Sequence, residues 1–193
     1  MWDASPARNA AQNLEQAFTS GDGMDLYLGA DPASKAENGG VGDMRLLLVP
    51  SGDKRLYNGT AVIFRPKLPD GKEKKPFEFA SPVSRFTIEY VAPLKLENAV
   101  SFWRWRSGLG YTCEARIPLT ELPELGVPKG GLAAEKRIRF DCGVIYSNRG
   151  GNSRVKRAYW RQDTADVHCV TDLPTEARLY PQLWGTAVIG AKK

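Results

Sequence analysis

Aromatic rings beside arginines recur in this chain, and that combination is what holds sugars: rings stack on pyranose faces while guanidinium, amide and carboxylate groups bond the hydroxyls. Trp103 and Trp105, in SFWRWRSG, stand two residues apart, so a strand carries both on one face, either as a stacking strip or as core with the neighbouring arginines solvated. Phe102, Arg104 and Arg106 then point the other way. A second grouping lies in GVIYSNRGGNSRVKRAYWRQ, residues 143 to 162. An apolar arm is followed by a turn over Asn148 to Asn152, where Gly150-Gly151 supply the positive φ a reversal needs. The return arm places Arg157, Tyr159 and Arg161 on one face, beside Arg149 and Asn152 of the turn, as a polar rim for sugar or partner contact. Trp160 and Trp184, in AYW and LWGT, read as core rings.

Metal and redox chemistry have fewer candidates. Asp31, Glu37, Asn38 and Asp43 line the glycine-rich stretch DPASKAENGGVGD, whose oxygens suit a hard cation such as calcium, although the spacing is not that of an EF-hand and a solvated turn explains it too. His168 is the only histidine, which excludes a histidine metal cluster, and no Gly-x-Ser-x-Gly elbow accompanies it. No carboxylate pair stands out for glycoside hydrolysis. Cys113, Cys142 and Cys169 lie far apart and are odd in number, which fits buried free thiols rather than a disulfide framework or a metal knuckle.

The elements that must position these groups are strands. Met44 to Val49, Leu56 to Arg65, Arg85 to Val91, Ala99 to Arg106, Tyr111 to Ile117 and Ile138 to Tyr146 are short apolar or alternating runs closed by Gly, Pro, Asn or Asp. Alternation turns Ile138, Phe140, Cys142 and Val144 inward and Arg139, Asp141 and Gly143 toward water. Cys113 is inward on the run at 111. Helical periodicity is confined to Ala7 to Phe18 and Leu119 to Leu125, and PDGKEKKP, residues 69 to 76, reads as a solvated hairpin tip. At 193 residues the chain is one domain, residues 1–193, with enough core to need no disulfide. Its 27 Lys and Arg against 22 Asp and Glu leave +5, scattered rather than striped, which argues against nucleic acid. No apolar run approaches the ~20 residues of a membrane span. MWDASPARNAAQ is no signal peptide, so the chain is expected to be cytoplasmic or incomplete.

The segments GDGMDLYLGADP, GDMRLLLVP, ASPV, GYTCEARIPL, FDCGVIYSNRGGN, AYW and PTEARLYPQLWGTAVI, in that order from about Ser5 to Ile189, resemble the β-sandwich domains of family 9 carbohydrate-binding modules in the DOMON-like group. The resemblance implies a jelly-roll sandwich beside catalytic or anchoring modules in large secreted bacterial proteins, hence an extracellular or periplasmic location. It also implies further strands upstream of Met1, so the N-terminal edge is expected to lack its first strands. The turn departs from the family in reading Ser147-Asn148-Arg149 where an Asp is expected after the Ser.

The expectation is therefore an all-β antiparallel sandwich or jelly roll with one or two short helical turns. Its role is a non-catalytic carbohydrate-binding module for polysaccharide or oligosaccharide, possible neighbour of other domains, with calcium as the only cofactor considered besides haem. A ligand-free structural or adaptor domain is the competing reading, and DOMON-like haem binding a third: the resemblance implies it, Met24 or Met44 with His168 would be the axial ligands, and core packing explains both methionines too.

Overall fold

The structure, a computed structural model, describes residues 6–51, 56–106, 110–127, 134–161 and 173–190. It is all-β and antiparallel, and sandwich-like. Among the described residues eleven strands are present: β1 (Gly23–Gly29), β2 (Asp43–Pro50), β3 (Leu56–Phe64), β4 (Phe77–Ala80), β5 (Arg85–Ile88), β6 (Leu94–Lys95), β7 (Val100–Arg106), β8 (Gly110–Arg116), β9 (Lys136–Ser147), β10 (Arg154–Tyr159) and β11 (Gly185–Ile189). A short helix, α1 (Leu173–Ala177), joins them among the described residues. The segment Ala7 to Phe18 forms only a 3₁₀ turn, Leu14–Gln16, and Leu119 to Leu125 forms two, Leu119–Glu121 and Pro123–Leu125. Among the described residues no helix is long and apolar enough to cross a membrane.

Nine strands share one sheet in the order β10-β9-β1-β2-β3-β7-β8, while β4 and β5 form a separate hairpin. Two edges are used twice. β10 and β11 pair with successive halves of β9, and β6 and β7 with opposite ends of β3. The sheet curls until Tyr111 of β8 donates its hydroxyl to the Ile145 carbonyl of β9 at 3.5 Å. One curled sheet thus supplies the layers where the sequence predicts two separate sheets. β1 lies between β9 and β2 and is paired on both sides, so the exposed row expected at the N-terminal edge is not at the first described strand.

Each face of the sheet has its own core. On the inner face Leu28, Met44, Leu46, Leu48, Ala61, Ile63, Trp103 and Ile138 pack together, joined by Leu122 and Leu125 from the 3₁₀ turns. On the outer face Phe18, Leu47, Val49, Val62, Phe64 and Ile145 pack under the hairpin residues Phe79 and Ile88 and under Ala177. Double coverage explains why β2 is buried at every position and reads as a continuous apolar run. It also corrects the reading of β9. Asp141 is fully buried and Gly143 and Ile145 are buried with it, whereas Phe140, Cys142 and Val144 are only half-buried. The face that alternation assigned to water is therefore covered, because the segment after β10 folds over it: the Arg161 N–H donates to Asp141 Oδ1 at 3.0 Å.

Candidate functional site

The seven residues expected to bind sugar do not converge. Trp103 is 0 % exposed inside the inner core, 5.2 Å from Tyr111 ring to ring, so it offers no stacking face. Trp105 is half-buried opposite Tyr111 on β8. Tyr159 leaves the rim altogether. Its hydroxyl donates to Asp25 Oδ2 at 2.8 Å, and its ring packs 5.7 Å from Tyr27, with Trp184 beyond. Burial raises its pKa well above the ordinary tyrosine value, and Asp25 adds to that.

The remaining rim residues have local duties. Arg157 lies 6.0 Å over the Tyr159 ring. Asn152 accepts from Asn148 Nδ2 at 2.7 Å and so closes its own turn, next to exposed Arg149. Gly151 takes the predicted positive φ, +69°, and a Cβ there would also meet Arg8 Cβ at 2.6 Å, so the turn is docked on the N-terminal segment as well as reversed. Trp184 is buried as expected, but Trp160 is 58 % exposed and lies against Gly185 and Phe140.

The loop residues proposed for calcium are likewise spread out. Asp31 caps its own turn, accepting from Ala33 N at 2.9 Å, and Glu37 and Asn38 are exposed. Asp43 accepts from Gly40 N at 2.8 Å; burial raises its carboxyl pKa, with Gly40 and Arg139 pulling it down. Arg139 holds this loop by donating to the Ser34 and Trp184 carbonyls. Among the described residues no three His, Cys, Asp or Glu side chains meet as a metal set. Met44 is core and Met24 packs against it, while His168 and Cys169 lie outside the described residues. The Cys113 thiol is pushed up to about 11 by burial and by Glu114, which makes it an inert packing group.

The groups that do converge surround a cleft of about 820 Å³ between the loop after β3, the segment 90–98 and the 3₁₀ turns. Its floor is apolar, from Leu68, Leu94 and Leu96. Arg65, at the end of β3 and 6 % exposed, anchors one wall with a fork onto Glu124: Nε to Oε1 at 2.5 Å and Nη2 to Oε2 at 3.3 Å. Nη2 also reaches the Glu121 carbonyl at 3.0 Å, and the guanidinium carbon sits 5.1 Å from the Tyr90 ring. Glu121 in turn accepts from the Asn98 N–H at 2.8 Å. Lys72, Glu73 and Lys75 also line it, from the stretch expected to be a solvated hairpin tip; residues 69 to 76 are exposed as expected, but they connect β3 to β4, which do not pair as a hairpin.

No local pattern marks this site, because its parts lie in three separate segments, none of which carries a motif. The one available signal was the basic-acidic run at 69 to 76 followed by Tyr90, which only the fold sets face to face. No protein-family model, no curated protein and no solved structure matches the chain.

Proposed function

We propose that this chain is a non-catalytic carbohydrate-binding β-sandwich domain, with oligosaccharide or polysaccharide bound in the Arg65–Tyr90–Glu124 cleft. The observation that carries the reading is the grouping itself. An aromatic ring, an apolar floor and alternating donors and acceptors share one concavity, which is what a ring of hydroxyls around an apolar pyranose face requires. The fork from Arg65 fixes Glu124 as an acceptor and supports Tyr90 from one side, so both are ordered before a ligand arrives. The resemblance to family 9 carbohydrate-binding modules supports the same class, and with it work outside the cytoplasm beside other modules of a larger protein.

Calorimetry or a glycan array with the full chain tests this. Tyr90→Ala should weaken sugar binding about tenfold or more, the loss of roughly 1.4 kcal/mol, with the melting temperature little changed. Trp160→Ala should leave affinity alone. Absence of glycan binding by the folded chain overturns the function, and binding that survives Tyr90→Ala but not Trp160→Ala overturns the site.

A further inference from the structure

The two ends of the main sheet are finished differently. The β9 edge is occupied by β10 and β11 in tandem, and β10 itself is interrupted by a bulge between Arg154 and Lys156, which blunts it against further pairing. β8 has no such device. Its register with β7 is unbroken from Gly110 to Arg116, it contains no proline, and among the described residues it pairs with β7 alone.

The outer surface at the end of this edge is unusual in composition. Phe102 is 52 % exposed, and Glu114, Ala115 and Arg116 are exposed beside it. With Val100 they line a shallow depression of about 400 Å³. Cross-strand register sets Phe102 beside Glu114 and Val100 beside Arg116.

That short pattern is its own complement. In an antiparallel pair with a two-fold axis through Ala115, Glu114 of each chain falls opposite Arg116 of the other, about 4.5 to 5.5 Å apart at Cβ. Across the sheet, the outer row then reads Phe102, Glu114, and Arg116 and Val100 of the second copy, with the same row repeated in reverse. The inner row sets Cys113 opposite Ile117 of the second copy, half-buried apolar against half-buried apolar. Ala115 on the axis has only a methyl group to hold the backbones apart. Pro118, lacking an N–H, ends the ladder just beyond.

We propose that two copies of this chain join through antiparallel β8 strands centred on Ala115, forming one sheet continuous across the dimer. The contact is isologous, as closed two-fold symmetry requires. A pairing centred one turn of the pleat earlier, on Cys113, would leave Glu114 opposite Thr112 and diagonal to Glu114 of the second copy, so charge selects the Ala115 register.

Sedimentation velocity of the full chain under reducing conditions should show a concentration-dependent monomer–dimer equilibrium. Glu114→Arg and Arg116→Glu, each placing like charges in opposition, should weaken association tenfold or more. The double swap, Glu114→Arg with Arg116→Glu, should restore it. All these side chains are exposed, so the melting temperature should stay near that of the wild type. Ala115→Cys, oxidised, should give an intermolecular disulfide between the introduced thiols, identified by peptide mass spectrometry. A chain that stays monomeric throughout, a dimer indifferent to either single swap, or a wild-type cross-link through Cys113 overturns the proposal.

Discussion

Arg45 and Asp25, on neighbouring strands β2 and β1, form a two-pronged ion pair with Nε–Oδ1 at 2.7 Å and Nη2–Oδ2 at 2.8 Å, and neither side chain reaches solvent. The third guanidinium nitrogen donates to the Glu176 carbonyl of α1 at 3.1 Å, and the Phe18 ring lies 4.2 Å from the guanidinium carbon. Burial acts most strongly against the Arg45 charge, but Asp25 together with Tyr27 and Tyr159 outweighs it and the pKa is raised. This pair ties the covering segment at 176 to the sheet and makes the outer face of β1 and β2 polar at its centre.

Removing one partner strands the other. Arg45→Met should lower unfolding stability by about 3 to 5 kcal/mol in urea titrations, because Asp25 is then a buried carboxylate without its counter-ion. Adding Asp25→Leu should recover much of that loss, since an apolar pair of similar volume needs no compensation. A single substitution costing as little as the double would show that Asp25 finds another partner.

Tyr27 and Tyr159 make stability pH-dependent on the alkaline side. Burial raises the Tyr27 pKa to about 12, and burial raises Tyr159 in the same direction. A folded-state pKa above the unfolded one means that the stability these hydroxyls contribute is complete below pH ~10 and falls as pH rises toward 12. Absorbance near 295 nm should therefore show most tyrosines ionising first and two more only as the protein unfolds. Tyr159→Phe, which deprives Asp25 of a donor, should cost on the order of 1 to 3 kcal/mol at neutral pH.

Gly143 is held to glycine by a ring rather than by backbone conformation. A Cβ there would sit 2.1 Å from Tyr159 Cδ1 and 2.8 Å from the Ala158 carbonyl oxygen. Gly143→Ala should push Tyr159 off Asp25 and lower the melting temperature by several degrees. In a Tyr159→Ala background the added loss should be smaller, a coupling that a thermal double-mutant cycle reads directly.

The tryptophans separate by burial. Trp103→Ala should cost about 3 to 5 kcal/mol as a core cavity, whereas Trp160→Ala, with the ring 58 % exposed, should change stability far less. Near-equal losses in chemical denaturation would contradict the placement of Trp160 on the surface.

The sequence by itself determined that strands dominate and where several of them lie, but its local signals do not mark β1, β4, β6 or β11. Period-two alternation and Gly, Pro, Asn and Asp punctuation located β2, β3, β5, β7, β8 and β9 to within a few residues, and Gly150-Gly151 located the turn before β10, because those signals act within one strand or one turn. It failed where burial depends on what covers a face. Asp141 and Gly143 alternate as solvent positions, and nothing local to β9 announces that the backbone of residue 161 closes over them. The same holds for the proposed site. Trp103 and Trp105 share a strand face that local pattern offers equally as a stacking strip or as core, and the curl of the sheet decides for core at Trp103. Arg65, Tyr90 and Glu124 lie in separate segments, and only long-range folding sets them around one cleft. Local chemistry writes the strands, whereas which side of each is wet, and which distant groups meet, is settled by how the sheet curls and what packs against it.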